Sequence, residues 1–197
     1  MTAKYYKTKA SVQEYIKLAK DVNGADLIEQ LKTFLAPNAD LLEIGTGPGT
    51  DWNILQRNFK VIGSDNSLEF LKHLHITYPS ASFLELDAIT LDTDKKFDGL
   101  YSNKVMHHLK DQEIIRSIKR QQEVLKVDGI ICHSFWKGDG SEIFKGLFVN
   151  YHSEASLKLL FEPSFEILLL ESYKEFETGD SLLLIGKKKV DIKKKAK

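Results

Sequence analysis

The sequence predicts an α/β fold: a mostly parallel sheet with helices on both faces. Three observations carry that prediction. Short apolar runs alternate with segments of helical period, which is the pattern of strands joined by crossover helices. The first apolar run leads straight into a glycine-rich turn, "LLEIGTGPGTD" at 41–51. The last two apolar runs, "SFEILLLESYKEF" and "DSLLLIGKKK", are joined only by "ETGD", with no helix between them. Such spacing makes a hairpin, so at least one terminal strand runs antiparallel.

The elements follow in order. Val12, Tyr15, Ile16 and Leu18, then Leu27, Leu31 and Leu35, give helical spacing over 11–35, punctuated by "NG" at 23–24. "DLLEIG" is a short buried strand, "DWNILQRNF" a helix and "KVIGSD" a strand. "SLEFLKHLH" is a helix capped by Ser67, with Phe70, Leu71 and Leu74 on one face. "ASFLELD" and "KFDGLYSN" are strands. "DQEIIRSIKRQQEVLKVDG" is a helix capped by Asp111 and closed at Gly129, burying Ile114, Ile118 and Leu125. "IICHSFW" is the fifth strand. Residues 138–162 form a helical or irregular cap near the carboxyl edge of the sheet, ahead of the final hairpin.

The chain of 197 residues is long enough for one good core. We expect N-terminal helices over 1–36 as lid and first sheet cover, the main domain over 37–189, and a lysine-rich tail at 190–197. Lysine plus arginine balances aspartate plus glutamate at 28 each. The end "KKKVDIKKKAK" holds seven lysines and one aspartate, so the body carries the negative excess. A negative body argues against a nucleic-acid partner. The single cysteine, Cys132, allows no internal disulfide and no cysteine cluster for zinc. The opening "MTAKYYKTKA" lacks the apolar core of a secretion signal, and no run reaches the ~20 apolar residues that span a bilayer. A cytoplasmic location without membrane contact is the expectation.

The glycine turn carries the chemistry. Ligands of open parallel sheets bind beyond the carboxyl ends of the strands. A dinucleotide fingerprint aligned on Gly45 and Gly47 would place its third glycine at Thr50. The turn instead reads G-x-G-x-G, with Glu43 upstream, where a carboxylate opposes a pyrophosphate and suits a cation. Asp65 ends the second strand and can accept the hydroxyl hydrogens of a ribose. Asp87, followed by Ala88, ends the third and can accept from an exocyclic amine. Three acids at three strand ends describe a pocket for a positively charged nucleoside.

These motifs resemble those of class I S-adenosylmethionine-dependent methyltransferases over about residues 10–188. "LLEIGTGPGTD" is similar to the family's glycine motif, "VIGSDNS" to its ribose motif, "LELDA" to its adenine-contacting strand end and "FDGLYSNKVMHHL" to its fourth-strand motif. The resemblance implies a Rossmann-like seven-stranded sheet of order 3-2-1-4-5-7-6 with strand seven antiparallel. It implies S-adenosylmethionine as cofactor and S-adenosylhomocysteine as product. Gly45, Thr46, Gly47 and Gly49 would line the aminoacid and ribose part, with Glu43 beneath. Asp65 and Asn66 would hold the ribose, Asp87 and Ala88 would frame the adenine, and Ser102 and Asn103 would flank the methionine portion.

Methyl transfer from a sulfonium mainly needs an aligned nucleophile and excluded water. On the acceptor side, "NKVMHHL" offers Asn103, Lys104, His107 and His108, and "HSFWKGDG" offers Trp136 and Lys137. His107, His108 and Trp136 are the candidate catalytic residues, a base or donor and a pocket wall. Adjacent histidines on a helix diverge by about 100°, so at most one of the pair faces the pocket. His133 reads as structural, and Tyr5, Tyr6 and Tyr15 as part of an N-terminal lid. No proline follows "SN", which departs from the amino-methylating enzymes of DNA bases. Cys132 sits in an apolar strand, unsuited to a thiolate nucleophile. Asp139 is a lone carboxylate, so no metal is expected. The expected function is methyl transfer to a small molecule. The alternatives are a non-catalytic module that binds the cofactor or its product, and a methyltransferase acting on RNA or protein.

Overall fold

The computed structural model describes residues 4–20 and 22–190. Its main sheet has seven strands: β1 (Asp40–Ile44), β2 (Lys60–Asp65), β3 (Phe83–Glu85), β4 (Phe97–Ser102), β5 (Leu125–Trp136), β8 (Phe165–Tyr173) and β9 (Ser181–Lys188). The spatial order is β3-β2-β1-β4-β5-β9-β8. The first five are parallel, and β9 runs antiparallel to both β5 and β8. This is the expected order, with β8 and β9 as the sixth and seventh strands of the sheet. A separate hairpin, β6 (Ser141–Phe144) and β7 (Leu147–Asn150), lies between β5 and the last helix.

Helices α1 (Lys9–Leu18), α2 (Ala25–Lys32), α3 (Thr50–Leu55), α4 (Leu68–Thr77), α5 (Asp111–Val124) and α6 (Glu154–Phe161) surround the sheet. Period-two strand residues divide between two cores. On one face Leu42, Leu100, Ile131 and Leu184 meet Ile114 and Ile118 of α5 and Leu157 and Phe161 of α6. On the other, Leu41, Tyr101, Cys132 and Ile185 meet Ile28 and Leu31 of α2 and Leu55 of α3. A smaller group, Trp52, Leu71, Leu74 and Phe83, seats α4 against the β3 edge. Both faces are sealed, so the cleft available to a ligand lies along the carboxyl edge.

Several boundaries differ from the sequence expectation. The helix read over 111–129 ends at Val124, and buried Leu125 already pairs with Phe97. Lys110, not Asp111, is the cap position, and Glu113 accepts from the Lys110 N–H at 2.9 Å. Asp128 adopts a left-handed backbone (φ 61°), so Gly129 ends a turn in β5 rather than a helix. The segment 138–162 is a hairpin plus a helix. The hairpin turn is Lys145-Gly146, both at positive φ (48° and 79°), a two-residue connection whose twist matches flanking strands. α6 is no edge cap, since Phe161 and Leu157 are wholly buried in the main core. The tail at 191–197 lies outside the described residues, as do the side chain of Tyr5 and its proposed place in a lid.

α4 starts where expected. The Ser67 hydroxyl accepts from the Phe70 N–H (3.3 Å) and donates to the Tyr6 carbonyl (2.5 Å), joining the helix to the N-terminal segment. Tyr6, Tyr15 and Phe70 pack there, ring centroids 5.2–5.8 Å apart. Ser67→Ala should therefore cost about 1 kcal/mol for the lost cap. In a chain of this size that lowers the melting temperature by about 2–4 °C. An unchanged calorimetric melt would show that the cap carries no stability.

Candidate functional site at the strand tips

The turn after β1 is shaped by three left-handed glycines, Gly45 (φ 72°), Gly47 (φ 53°) and Gly49 (φ 87°). They serve different ends. A side chain on Gly45 would meet Val105 Cγ2 at 2.5 Å, and one on Gly49 would meet Tyr78 and Leu74 at 2.8–2.9 Å. A side chain on Gly47 would meet nothing within 4 Å, so this glycine faces open space above the turn. Thr46 fastens the turn to β2, its N–H donating to the Ser64 carbonyl (2.8 Å) and its hydroxyl accepting from the Ser64 N–H (2.9 Å).

Carboxylates surround this turn. Glu43 is 3% exposed, and its Oε2 is buried with no hydrogen-bond partner. Burial, reinforced by Asp51 and Asp65, raises its pKa well above the ordinary value, against a hydrogen bond from Thr46. Asp65 accepts from the Gly47 N–H (2.9 Å) through Oδ2 and from the Ser67 N–H (2.8 Å) through Oδ1. Burial raises its pKa too, and those backbone donors oppose the shift. Asp87 is half-buried and closes a turn by accepting from the Ile89 N–H at 2.7 Å. A hollow of about 620 Å³ lies beside Asp87 and the start of α4, lined by Asn66, Ser67, Leu86, Asp87, Thr90 and Lys7 among others, with neither Glu43 nor Asp65 in its lining. Ala88 follows Asp87, its carbonyl tied to the Ser117 hydroxyl at 2.6 Å. A larger hollow, about 720 Å³ between α5 and β7, is lined by Lys110, Asp111 and Arg116 and touches none of these residues.

A network that the sequence reading missed completes the seat. Asp51 is 8% exposed and accepts from the Gly24 N–H (2.7 Å), the Tyr101 hydroxyl (2.7 Å) and Asn103 Nδ2 (3.1 Å). Gly24 is required there, since a Cβ would lie 2.2 Å from the Tyr101 hydroxyl and 2.6 Å from Asp51 Oδ2. Asn103 is thus oriented by Asp51 on one side and the Ser134 hydroxyl (2.5 Å) on the other. The Ser102 hydroxyl turns inward to His133 Nδ1 (2.7 Å), while His133 Nε2 meets Gln121 at 3.0 Å. His133 is wholly buried, and burial pushes its pKa down to about 3. Cys132 is likewise buried, and its thiol is pushed up. Tyr15 of α1 reaches the same region, its hydroxyl feeling Asp51, Asp65 and Glu175, which add to burial in raising its pKa.

The two histidines occupy a 3-10 turn, Met106–His108, not a regular helix. Their rings lie together, centroids 4.0 Å apart, rather than diverging. His107 is 3% exposed with Nδ1 unpartnered, and burial holds its pKa well below the usual range. His108 Nδ1 donates to the Phe148 carbonyl at 2.8 Å. Trp136 ends β5, stacked on Phe176 at 5.9 Å and covering the Lys104 amine, which sits 3.7 Å from the ring centroid. Asp139 is exposed, and no group of three metal-ligating side chains gathers among the described residues. No helix among them is long and apolar enough to cross a membrane.

This sheet order, with a glycine turn and acid-tipped strands, is the one that the resemblance to class I S-adenosylmethionine-dependent methyltransferases implies. Residues 41–129 match the family described as "Methyltransferase domain". Trans-aconitate 2-methyltransferase of Afipia carboxidovorans is 26% identical over 62% of this chain and 48% of its own. The chain spans about half the length of the curated relatives it matches. Among solved structures, the Burkholderia thailandensis 1,6-didemethyltoxoflavin-N1-methyltransferase, crystallised with 1,6-didemethyltoxoflavin and S-adenosylhomocysteine, superposes with a TM-score of 0.76. It is 19% identical, over 92% of this chain and 85% of that one. A chain of the Haloferax volcanii complex between the Trm112 methyltransferase activator and the putative methyltransferase gives a TM-score of 0.77 at 16% identity, over 96% of this chain and 100% of that one.

Replacing the Glu43 carboxyl by an amide gives a measurable trade-off. Because the folded carboxyl keeps its proton to higher pH than an unfolded glutamate, the unliganded protein loses stability as pH rises from about 4.5 through the raised value. Glu43→Gln should melt higher than wild type at neutral pH and converge with it in acid. The same change should weaken S-adenosylmethionine binding by about tenfold, roughly 1.4 kcal/mol. Equal melts at about pH 7.5, roughly three units above the ordinary carboxyl range, would show that Glu43 is not a strained buried acid.

Proposed function

We propose that the chain transfers the methyl group of S-adenosylmethionine to a small-molecule acceptor. The buried, unpartnered Glu43 Oε2 beneath an open glycine turn carries the reading, because an orphaned acid at a ligand cleft calls for a cation. The remaining groups fit the same ligand. Asp65 keeps lone-pair capacity for the ribose beside the backbone bonds it accepts from Gly47 and Ser67. Asn66 and Asp87 line the hollow that suits an adenine. Asp51 and Asn103, bonded to each other at 3.1 Å, would serve the ammonium and carboxylate of the methionine portion. When bound, S-adenosylmethionine supplies a methyl group on a cationic sulfur.

The chain's own part is to orient and to exclude water. Asp65 and Gly47 fix the turn to β2, so the approach of a ligand to the backbone is set before it binds. Asp51 holds Asn103, and through it the start of the acceptor side. Tyr15 and Tyr6, packed edge to face, would cover the seat from α1 and the preceding 3-10 turn, and Trp136 stacked on Phe176 would wall the acceptor side. Ordering of this kind can supply on the order of 7–11 kcal/mol of a displacement barrier. The negative body of the chain supports a small molecule over a nucleic acid.

The test is isotopic methyl transfer over a metabolite extract. Label from methyl-labelled S-adenosylmethionine should appear in a low-mass product. Label in added RNA or protein alone would overturn the acceptor class. Binding of S-adenosylhomocysteine without any label transfer would leave a binding module.

A further inference from the structure

Beyond the cofactor seat, β4, β5, β8 and β9 bring a second polar cluster to the same edge. Lys104 directly follows Asn103, in a left-handed conformation (φ 52°) held by its N–H donating to Ser134 Oγ at 2.9 Å. That serine hydroxyl also donates to Asn103, which bonds Asp51, so the lysine is fastened to the seat. The Lys104 amine donates to the Phe135 carbonyl (3.0 Å) and the Ser181 hydroxyl (2.6 Å). The faces of Trp136 and Tyr173 lie 3.7 and 5.2 Å away. Glu175 stands at 3.9 Å, beyond hydrogen-bond reach, and itself accepts from the Tyr173 hydroxyl at 2.9 Å. The two charged side chains are only 15% and 10% exposed.

A proton count distinguishes the states of this amine. An ammonium carries three N–H donors, whereas a neutral amine carries two and a lone pair. Two oxygen acceptors stand within hydrogen-bond distance, the Phe135 carbonyl and the Ser181 hydroxyl. The third proton of an ammonium has only the Trp136 face and the more distant Glu175 charge, whereas the neutral form satisfies both of its N–H groups on the oxygens. Burial favours the same form and pulls the pKa down to about 7, while Glu175 and Asp180 pull the other way. The remaining titratable neighbours do not compete for the proton. Tyr173 stays a phenol, its pKa raised by burial and by Glu175, and His107 is depressed by burial, by His108 and by Lys104 itself. Tyr15 links the two regions, since its hydroxyl feels Asp51 and Asp65 from the seat and Glu175 from this cluster. The histidines are poorer bases: His107 is shut in as a weakly basic imidazole, and His108 Nδ1 is committed to Phe148.

We propose that Lys104 is the general base, and that the acceptor is a compound methylated at a hydroxyl or an N–H group. This rests on the methyl-transfer reading above. The acceptor's oxygen or nitrogen forms the bond to the methyl carbon with its lone pair. The carbon–sulfur bond breaks with its electrons going to sulfur, which leaves as a neutral thioether. The acceptor's proton passes to Lys104 Nζ, and the ammonium so formed is stabilised by Glu175 and the Trp136 face until water removes the proton. Acceptor atoms with no proton to lose, such as a thioether sulfur or an ionised carboxylate, have no use for this group.

The experiment compares wild type, Lys104→Met, Lys104→Arg and Lys104→Ala, using labelled S-adenosylmethionine and the metabolite extract, with S-adenosylhomocysteine calorimetry alongside. Wild-type rates should rise with pH through about 7 and then level. Lys104→Met should be about 100-fold slower or worse, the usual range for a lost base, with S-adenosylhomocysteine affinity within about twofold. Lys104→Arg should be as slow, because a guanidinium keeps its proton. Added ethylamine should partly restore Lys104→Ala. Retention of more than about half the wild-type rate by Lys104→Arg would overturn the proposal. So would a wild-type rate independent of pH between about 5.5 and 8.5, a result that needs no variant to fold. No product from wild type overturns the methyl-transfer reading with it, whereas product from an active Lys104→Arg overturns the base alone.

Discussion

Asp65→Ala should raise the dissociation constant for S-adenosylhomocysteine by about 100-fold or more, roughly 3 kcal/mol. Two losses combine. Ribose hydroxyls would lose charge-assisted acceptors, each worth about 1.5–3 kcal/mol when buried. The Gly47 and Ser67 N–H groups would also lose their shared partner, so the turn and the start of α4 would no longer be tied together. Asp65→Asn separates the two, since one amide oxygen can still accept from a backbone N–H while the charge is gone. It should fall between wild type and Asp65→Ala. Calorimetric titration reads both variants, and an affinity within about twofold of wild type for Asp65→Ala would remove Asp65 from the ribose site.

Gly45→Ala should be the most damaging single change in the turn. At φ 72° a side chain is strained by about 1–2 kcal/mol even in open space. Here the added carbon would also lie 2.5 Å from Val105 Cγ2 and 3.1 Å from Cγ1. Val105 is β-branched and stiff, so it cannot swing away without moving the 3-10 turn that carries His107 and His108. Overpacking of this sort adds about 1–3 kcal/mol, for a total of about 3 kcal/mol and a melting temperature lower by about 10 °C. Gly47→Ala is the control, since it carries the backbone strain but meets no neighbour within 4 Å. It should be less destabilised than Gly45→Ala and should lose S-adenosylhomocysteine affinity, because its added methyl enters the space above the turn. Equal melting of the two variants would mean that contact with Val105 is not what Gly45 avoids.

The parts of the fold that were legible in the sequence are those governed by local period and punctuation. The buried runs "LLEI" and "VIGSD" are strands, with Glu43 inside β1 and Asp65 at the end of β2, and the glycines after the first run mark a backbone that needs positive φ. The strand ending at Asp87 was read too long, since only Phe83–Glu85 pair and Asp87 closes the turn beyond. The end of α5 was misplaced because Leu125 and Val127 continue a helical spacing that strand pairing with Phe97 overrides. Lys145-Gly146 is a hairpin turn without the Asn-Gly or Asp-Gly signature, so the strand pairing of "SEIFKGLFVN" has no local mark in the sequence. The Asp51 network was invisible for a different reason. Gly24, Asp51, Tyr101 and Asn103 meet only through tertiary packing, and no spacing in the chain links them. The Lys104 cluster is of the same kind: Phe135, Trp136, Tyr173, Glu175 and Ser181 are gathered by the antiparallel placement of β9.

Glu43, Asp51 and Asp65 are collected around a turn that offers backbone rather than side chains, and no lysine or arginine side chain pairs with any of them among the described residues. A site of that sign should take a zwitterionic or cationic adenosine and refuse a diphosphate. Isothermal titration of the full chain with S-adenosylhomocysteine and, separately, with NAD is the direct measurement. One-to-one binding of S-adenosylhomocysteine at micromolar concentration, with no heat from NAD, is the result predicted. Binding of NAD with equal or greater affinity, or no binding of S-adenosylhomocysteine at all, would contradict it.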